Sequence, residues 1–93
     1  MRPFVVMALV FFALSPATAR DRLCEVRDPT GTRLNLRATP GGTITGSLAN
    51  GQSVNRAEIV DDARGRQWIF LHDPVSGDPL GWAFRPYVRC PMR

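Results

Sequence analysis

The stretch GWAFRPYV, residues 81–88, decides how the chain is read. It holds Trp82, Phe84 and Tyr87, with Pro86 before the tyrosine. On a strand, alternation sends Trp82 and Phe84 to one face and Ala83 to the other. Pro86 disfavours helical φ,ψ at Arg85, so the strand bends or ends there. The segment reads as a strand closing into a turn. Its rings are either the core of a small domain or a surface that grips something.

The residues upstream repeat the same grammar. CEVR (24–27) is a short strand, and DPTGT (28–32) a turn. LNLR (34–37) alternates, with Leu34 and Leu36 on one face. After the break ATPGG (38–42), TITGSLA (43–49) directs Ile44 and Leu48 inward, with Gly46 as a bend or bulge. Asn50-Gly51 is a turn dipeptide. In SVNRAEIV (53–60), Val54 belongs to one face and Ala57 and Ile59 to the other, which a bulge near Arg56 reconciles. DDARGR (61–66) is a polar loop in which Asp61-Asp62 reads as a solvated turn. WIFLH (68–72) is a strand with large residues on both faces, and DPVSGDP (73–79) a turn-rich hairpin end. No window keeps apolar residues at helical spacing without an interrupting Gly or Pro. The fold class is therefore all-β. Five or six short strands in so few residues cannot make two sheets, and a small, strongly bent barrel fits.

The chain has 93 residues, and its first part has a different character. Met1 and Arg2 precede FVVMALVFFAL (4–14), an unbroken apolar run, and then SPATA with an A-x-A arrangement at Ala17 and Ala19. That order is the pattern of a secretory signal peptide, here residues 1–19 with cleavage after Ala19. A membrane anchor would need about 20 apolar residues. A lipidated Cys24 would follow small neutral residues, where Asp21, Arg22 and Leu23 stand instead. The domain is then 20–93, or 93 − 19 = 74 residues. Its product is expected to be periplasmic or secreted, with no stable membrane span after cleavage.

A domain of this size has a marginal core and usually needs a staple. Cys24 and Cys90, the only cysteines, supply one in an oxidising compartment. Bridging them closes a loop of about 67 residues, with a stabilisation of roughly 4 kcal/mol in the chain-entropy picture. The bridge requires the two ends of the domain to lie side by side. All twelve basic residues are arginine. Arginine suits bidentate recognition of carboxylate or phosphate, although a genome rich in arginine codons gives the same composition. The domain carries 11 arginines against 8 acids, a net +3. Export and the scattered acids argue against nucleic acid, and anionic envelope polymers or acidic peptides suit such a surface.

LNLRATPGG, then ITGSLANGQSV, RGRQWIFL and LGWAFRPYV, in this order and spacing, resemble the bacterial SH3 domain (SH3b, an SH3-like barrel) over residues 33–88. GWAFRPYV also resembles the closing segment of eukaryotic SH3 domains. The resemblance implies a small SH3-like barrel with a single 3-10 turn before the last strand, and first and last strands as neighbours. It places Ile69, Leu71, Ala83 and Val88 inside. Trp68, Trp82, Phe84 and Tyr87 are then able to line one outer groove, with Arg37 beside it to pair with a ligand carboxylate. Trp68 has a second reading, as a cover for the open end of the barrel. The chain departs from the family pattern in its long loop 73–79, its cysteine pair and the missing valines around Arg56 and Glu58.

Catalytic groups are sparse. The one histidine, His72, reads as a surface residue, there is no lysine, and bridged cysteines leave no thiolate. One histidine without a free cysteine gives no usual zinc site, and no cofactor is expected. The expected function is a non-catalytic exported module that binds an extended peptide, such as the peptide portion of peptidoglycan. The alternative is an interaction or inhibitory subunit that docks on another exported protein.

Overall fold

The computed structural model describes residues 22–91. The expected signal peptide, 1–19, lies outside them. Seven strands follow one another: β1 (Leu23–Val26), β2 (Leu34–Arg37), β3 (Ile44–Leu48), β4 (Ser53–Asp61), β5 (Gln67–His72), β6 (Pro79–Phe84) and β7 (Val88–Arg89). One 3-10 turn, Arg85–Tyr87, separates β6 from β7. The seventh strand beyond the expected five or six is the two-residue pairing of Val88–Arg89 with β1. Every pairing is antiparallel, and the order across the single sheet is β3-β2-β6-β5-β4-β1-β7.

All seven strands contribute to one core: Cys24 and Val26, Leu34 and Leu36, Leu48, Val54, Ile69 and Leu71, Ala83, and Val88. A single sheet brings every strand to one core only by curling round it, which makes the molecule a small barrel. Its two edges are β3 and β7. Burying each Val, Leu or Ile of this set contributes roughly 1.5–3 kcal/mol. Close approach is needed where β6 crosses β2. A Cβ on Gly81, which has φ +134°, would lie 3.0 Å from the Arg37 carbonyl oxygen, so only glycine fits there without displacement.

Three register shifts interrupt the pairings, one of them between Leu71 and His72 where β5 meets β6, and the two in β3 and β4 set which side chains turn outward. In β4 the pairing with β5 shifts between Arg56 and Glu58, so the bulge expected near Arg56 is present. It brings Ile59 opposite inward-facing Ile69, although Ile59 stays 40% exposed. In β3 the shift falls between the pairs Leu36–Gly46 and Arg37–Ile44, leaving Thr45 as the extra residue. This overturns one expectation. Leu48 is buried, but Ile44 pairs with outward-facing Arg37 and is 51% exposed. One extra residue moves everything beyond it to the other face.

The ends of the domain meet as the cysteines require. β1 pairs with both β4 and β7, and a disulfide joins Cys24 to Cys90, with Cα atoms 4.3 Å apart and a sequence separation of 66. Asn50 ties two loops together: its Oδ1 accepts from Asp28 N and its Nδ2 donates to the Thr32 carbonyl. Replacing both cysteines by alanine should cost roughly 4 kcal/mol in urea unfolding, close to the whole stability of so small a domain. A loss under about 1 kcal/mol would mean that the strand pairing alone holds the ends together.

Candidate functional site

The sheet register decides where the rings go. Ile69 pairs with Ala83 and Leu71 with Gly81, all facing the core. The alternate pairs, Trp68 with Phe84 and Phe70 with Trp82, therefore face outward. Arg37 on β2 pairs with Trp82 and joins the same face. The 3-10 turn then carries Tyr87 back against Phe84.

The rings form two groups. Phe84 stands edge-on to Trp68 (centroids 5.4 Å apart) and to Tyr87 (5.1 Å). Phe70 meets Trp82 at 5.1 Å and His72 at 5.2 Å. A cleft of about 260 Å³ runs along the first group and is lined by Trp68, Phe84, Tyr87, Arg37, Arg66 and Asp28, among others. Four of the five expected groove residues, Arg37, Trp68, Phe84 and Tyr87, thus share one cleft. Trp82 does not line it. The register places Trp82 beside Phe70, two residues further along the strands, and its indole N–H has no hydrogen-bond partner among the described residues.

Trp68 is more deeply placed than an open groove ring. It is 5% exposed yet stands apart from the barrel core. Its indole Nε1–H donates to Asp62 Oδ2 at 3.0 Å. The guanidinium carbons of Arg37 and Arg66 lie 5.7 and 5.8 Å from its ring centre, within cation–π range. The 38–43 loop closes over it, since a Cβ on Gly41 would lie 3.6 Å from Trp68 Cζ2. Trp68 is the floor of the cleft, while Phe84 and Tyr87, both partly buried, are its walls.

Asp62 is the residue that the sequence reading placed wrongly. It is no idle solvated turn. Its side chain is 15% exposed and accepts from Trp68 Nε1, Arg66 Nε, and the backbone N–H groups of Arg64 and Arg66. The Trp68 bond foremost holds its carboxyl well below the usual carboxylate range. The sequence signal was an aspartate opening a loop that ends in Gly-Arg, six residues before a tryptophan. Phe70 and Arg66 were visible but unassigned, and Arg33 enters the cleft from β2's leading edge, with Nε donating to Ser47 Oγ at 2.8 Å.

The guanidiniums are held in place while keeping N–H groups for a ligand. Arg37 Nη1 donates to the Gly42 carbonyl at 2.7 Å, which orients the fork over the cleft. Asp28, the cleft's carboxylate, accepts from Thr30 Oγ1 at 2.6 Å and from Thr30 N at 2.8 Å, and the Thr30 hydroxyl foremost lowers its pKa. The arrangement can bind an extended chain: flat apolar rings for its side chains, and fixed cationic forks for its carboxylates. Among the described residues no three His, Cys, Asp or Glu converge as metal ligands. No helix of the described residues is long and apolar enough to cross a membrane.

No protein-family model, curated protein or solved structure matches the chain.

The Asp62 clasp is testable by pH. Its pKa is depressed from an ordinary 3.8, so the stability it contributes is present above about 4 and fades as acid titrates the folded form. Asp62→Asn should lower Tm and red-shift Trp68 emission near pH 7. The Tm gap to wild type should narrow on acidification to about pH 2. A gap independent of pH would show that the carboxylate charge plays no part.

Proposed function

We propose that this chain is an exported, non-catalytic binding module, related to the bacterial SH3 domains that its sequence resembles. Its ligand in this reading is an extended peptide, and the peptide portion of peptidoglycan fits best. One observation carries the reading: the ten buried side chains of the barrel core include no ring, the rings of β5 and β6 lie on the outer face, and Tyr87 packs against the core from its edge while lining the cleft. A row of rings beside oriented arginines is the surface that an extended, carboxylate-bearing peptide requires. The Cys24–Cys90 disulfide supports an oxidising location, consistent with the signal-like N-terminus.

Docking on another exported protein is the second reading, and one observation favours it. Val75 is 95% exposed at the tip of the β5–β6 hairpin. The tip is well ordered: Asp73 Oδ1 accepts from the N–H groups of Val75 and Ser76, and Asp73 O from Gly77 N. A rigid loop presenting one aliphatic side chain suits insertion into a partner's pocket.

Co-sedimentation with purified wall sacculi separates the two. The protein should pellet with sacculi, and an Arg37→Gln/Tyr87→Ala variant should bind about tenfold more weakly or worse, since each lost contact costs on the order of 1–2 kcal/mol. Wild-type protein that stays in the supernatant, together with a stoichiometric partner lost on Val75→Asp, would establish the docking reading instead.

A further inference from the structure

Tyr87 has a cleft on each side. Beyond the aromatic groove, a second and larger hollow of about 810 Å³ is lined by Arg27, Arg85, Arg89, Asn50, Pro86 and Tyr87 itself, among others. Its making is local. The 3-10 turn at Arg85–Tyr87 raises one wall, β7 and Cys90 form another, and the β1–β2 loop closes the third. The backbone bond from Arg27 N to the Tyr87 carbonyl, 2.8 Å, fixes the loop to the turn.

The charge in this hollow is one-sided. Nine arginines fall within residues 22–91, and six line the two clefts: Arg33, Arg37 and Arg66 on one side of Tyr87, and Arg27, Arg85 and Arg89 on the other. Of the seven carboxylates in the same span, only Asp28 lines either cleft, and the threonines at 30 and 32 occupy it. Asp62 offsets Arg66, and Glu25 meets Arg27 at 3.3 Å in an exposed pair that water weakens. Arg85 is set by its Nη1 bond to the Val88 carbonyl, 3.1 Å, and its Nε is buried without a partner. The Arg89 side chain makes no hydrogen bond or ion pair with the described residues. A hollow with three arginines against one carboxylate has a net positive charge, which favours anions.

We propose that this second hollow is a carboxylate-binding subsite, so that the ligand crosses Tyr87 and places acidic groups against Arg85 and Arg89, with Arg27 at the entrance. The ligand class is an acidic peptide. Pro86 and the Tyr87 ring offer apolar wall to side-chain methylenes, and Asp28 at the junction repels a closely charged polyphosphate more than carboxylates spaced residue by residue. The inference rests on the reading of the groove as a peptide site, but not on the wall as the peptide's source.

The test uses the full chain, expressed for export and recovered with its disulfide intact. Its probes are labelled hexaglutamate and hexaglutamine peptides, followed by fluorescence anisotropy. Hexaglutamate should bind and hexaglutamine should not. Arg27→Gln/Arg89→Gln should weaken hexaglutamate binding about tenfold or more. Arg22→Gln/Arg64→Gln, which removes the same charge away from both clefts, should change it less than about twofold. Equal losses in the two double variants would overturn the subsite and leave only net charge. So would tighter binding of oligothymidylate than of hexaglutamate through the same arginines, which would make the ligand a phosphate polymer. Arg37→Gln reads the neighbouring groove: if it changes nothing while Arg27→Gln/Arg89→Gln does, the hollow binds carboxylates on its own, and both the groove reading and the crossing of Tyr87 fall.

Discussion

The core of this barrel is filled without rings, and much of the molecule follows from that. Ten side chains, none larger than leucine or isoleucine, fill the core from seven short strands. Strand geometry then forces a consequence, because each inward residue brings outward neighbours. With Ile69 and Leu71 inside, Trp68 and Phe70 go out. With Ala83 inside, Trp82 and Phe84 go out. The outer face of β5 and β6 is therefore aromatic by necessity of register, and the 3-10 turn adds Tyr87 to its end. The same packing that makes so short a chain foldable sets rings on its outer face. The disulfide complements this thin core by restraining the two ends of the domain.

Exposed rings would cost something in solubility, and the fold keeps the outward rings half-buried and covers one of them almost fully. Trp68 faces outward but is shielded by Phe84, the 38–43 loop and two guanidiniums, and Asp62 binds its indole N–H. Each cover also shapes the cleft. Arg37 shields the ring face and still offers N–H groups to a ligand. The 62–66 loop carries both the carboxylate that anchors the ring and Arg66, which stacks near it. Stability of the loop and shape of the cleft are in this way one property, tied through a single side chain.

Much of the fold was legible from local chemistry. Turn residues at 28–32, 38–42, 50–51 and 73–79 marked the strand ends, and Pro86 marked the end of β6. Cysteines at both ends implied neighbouring termini, which β1 and β7 provide. What was not legible depends on non-local register. Ile44 looked inward because Leu48 does, but the bulge expected at Gly46 falls one residue earlier, on Thr45, and reverses the face of Ile44. Trp82 looked like a partner of Tyr87 because the resemblance leaves both on one outer groove. The β5–β6 pairing sets it against Phe70 instead. Asp62 looked solvated because its loop is polar, and its role emerges only when the hairpin folds Trp68 back onto it. The second arginine cleft was hidden for the same reason: Arg27 is far in the chain from Arg85 and Arg89 until β1 and β7 pair.

On the proposed function the aromatic face, and not the hairpin tip, receives the ligand. A titration of isotope-labelled protein with soluble peptidoglycan fragments, followed by amide and indole N–H resonances, tests it most directly. Shifts should concentrate at Arg37, the Trp68 indole, Phe84 and Tyr87, while Val26, Val54 and Leu71 in the core stay fixed. Shifts confined to the hairpin around Val75, or none at saturating fragment, would contradict it.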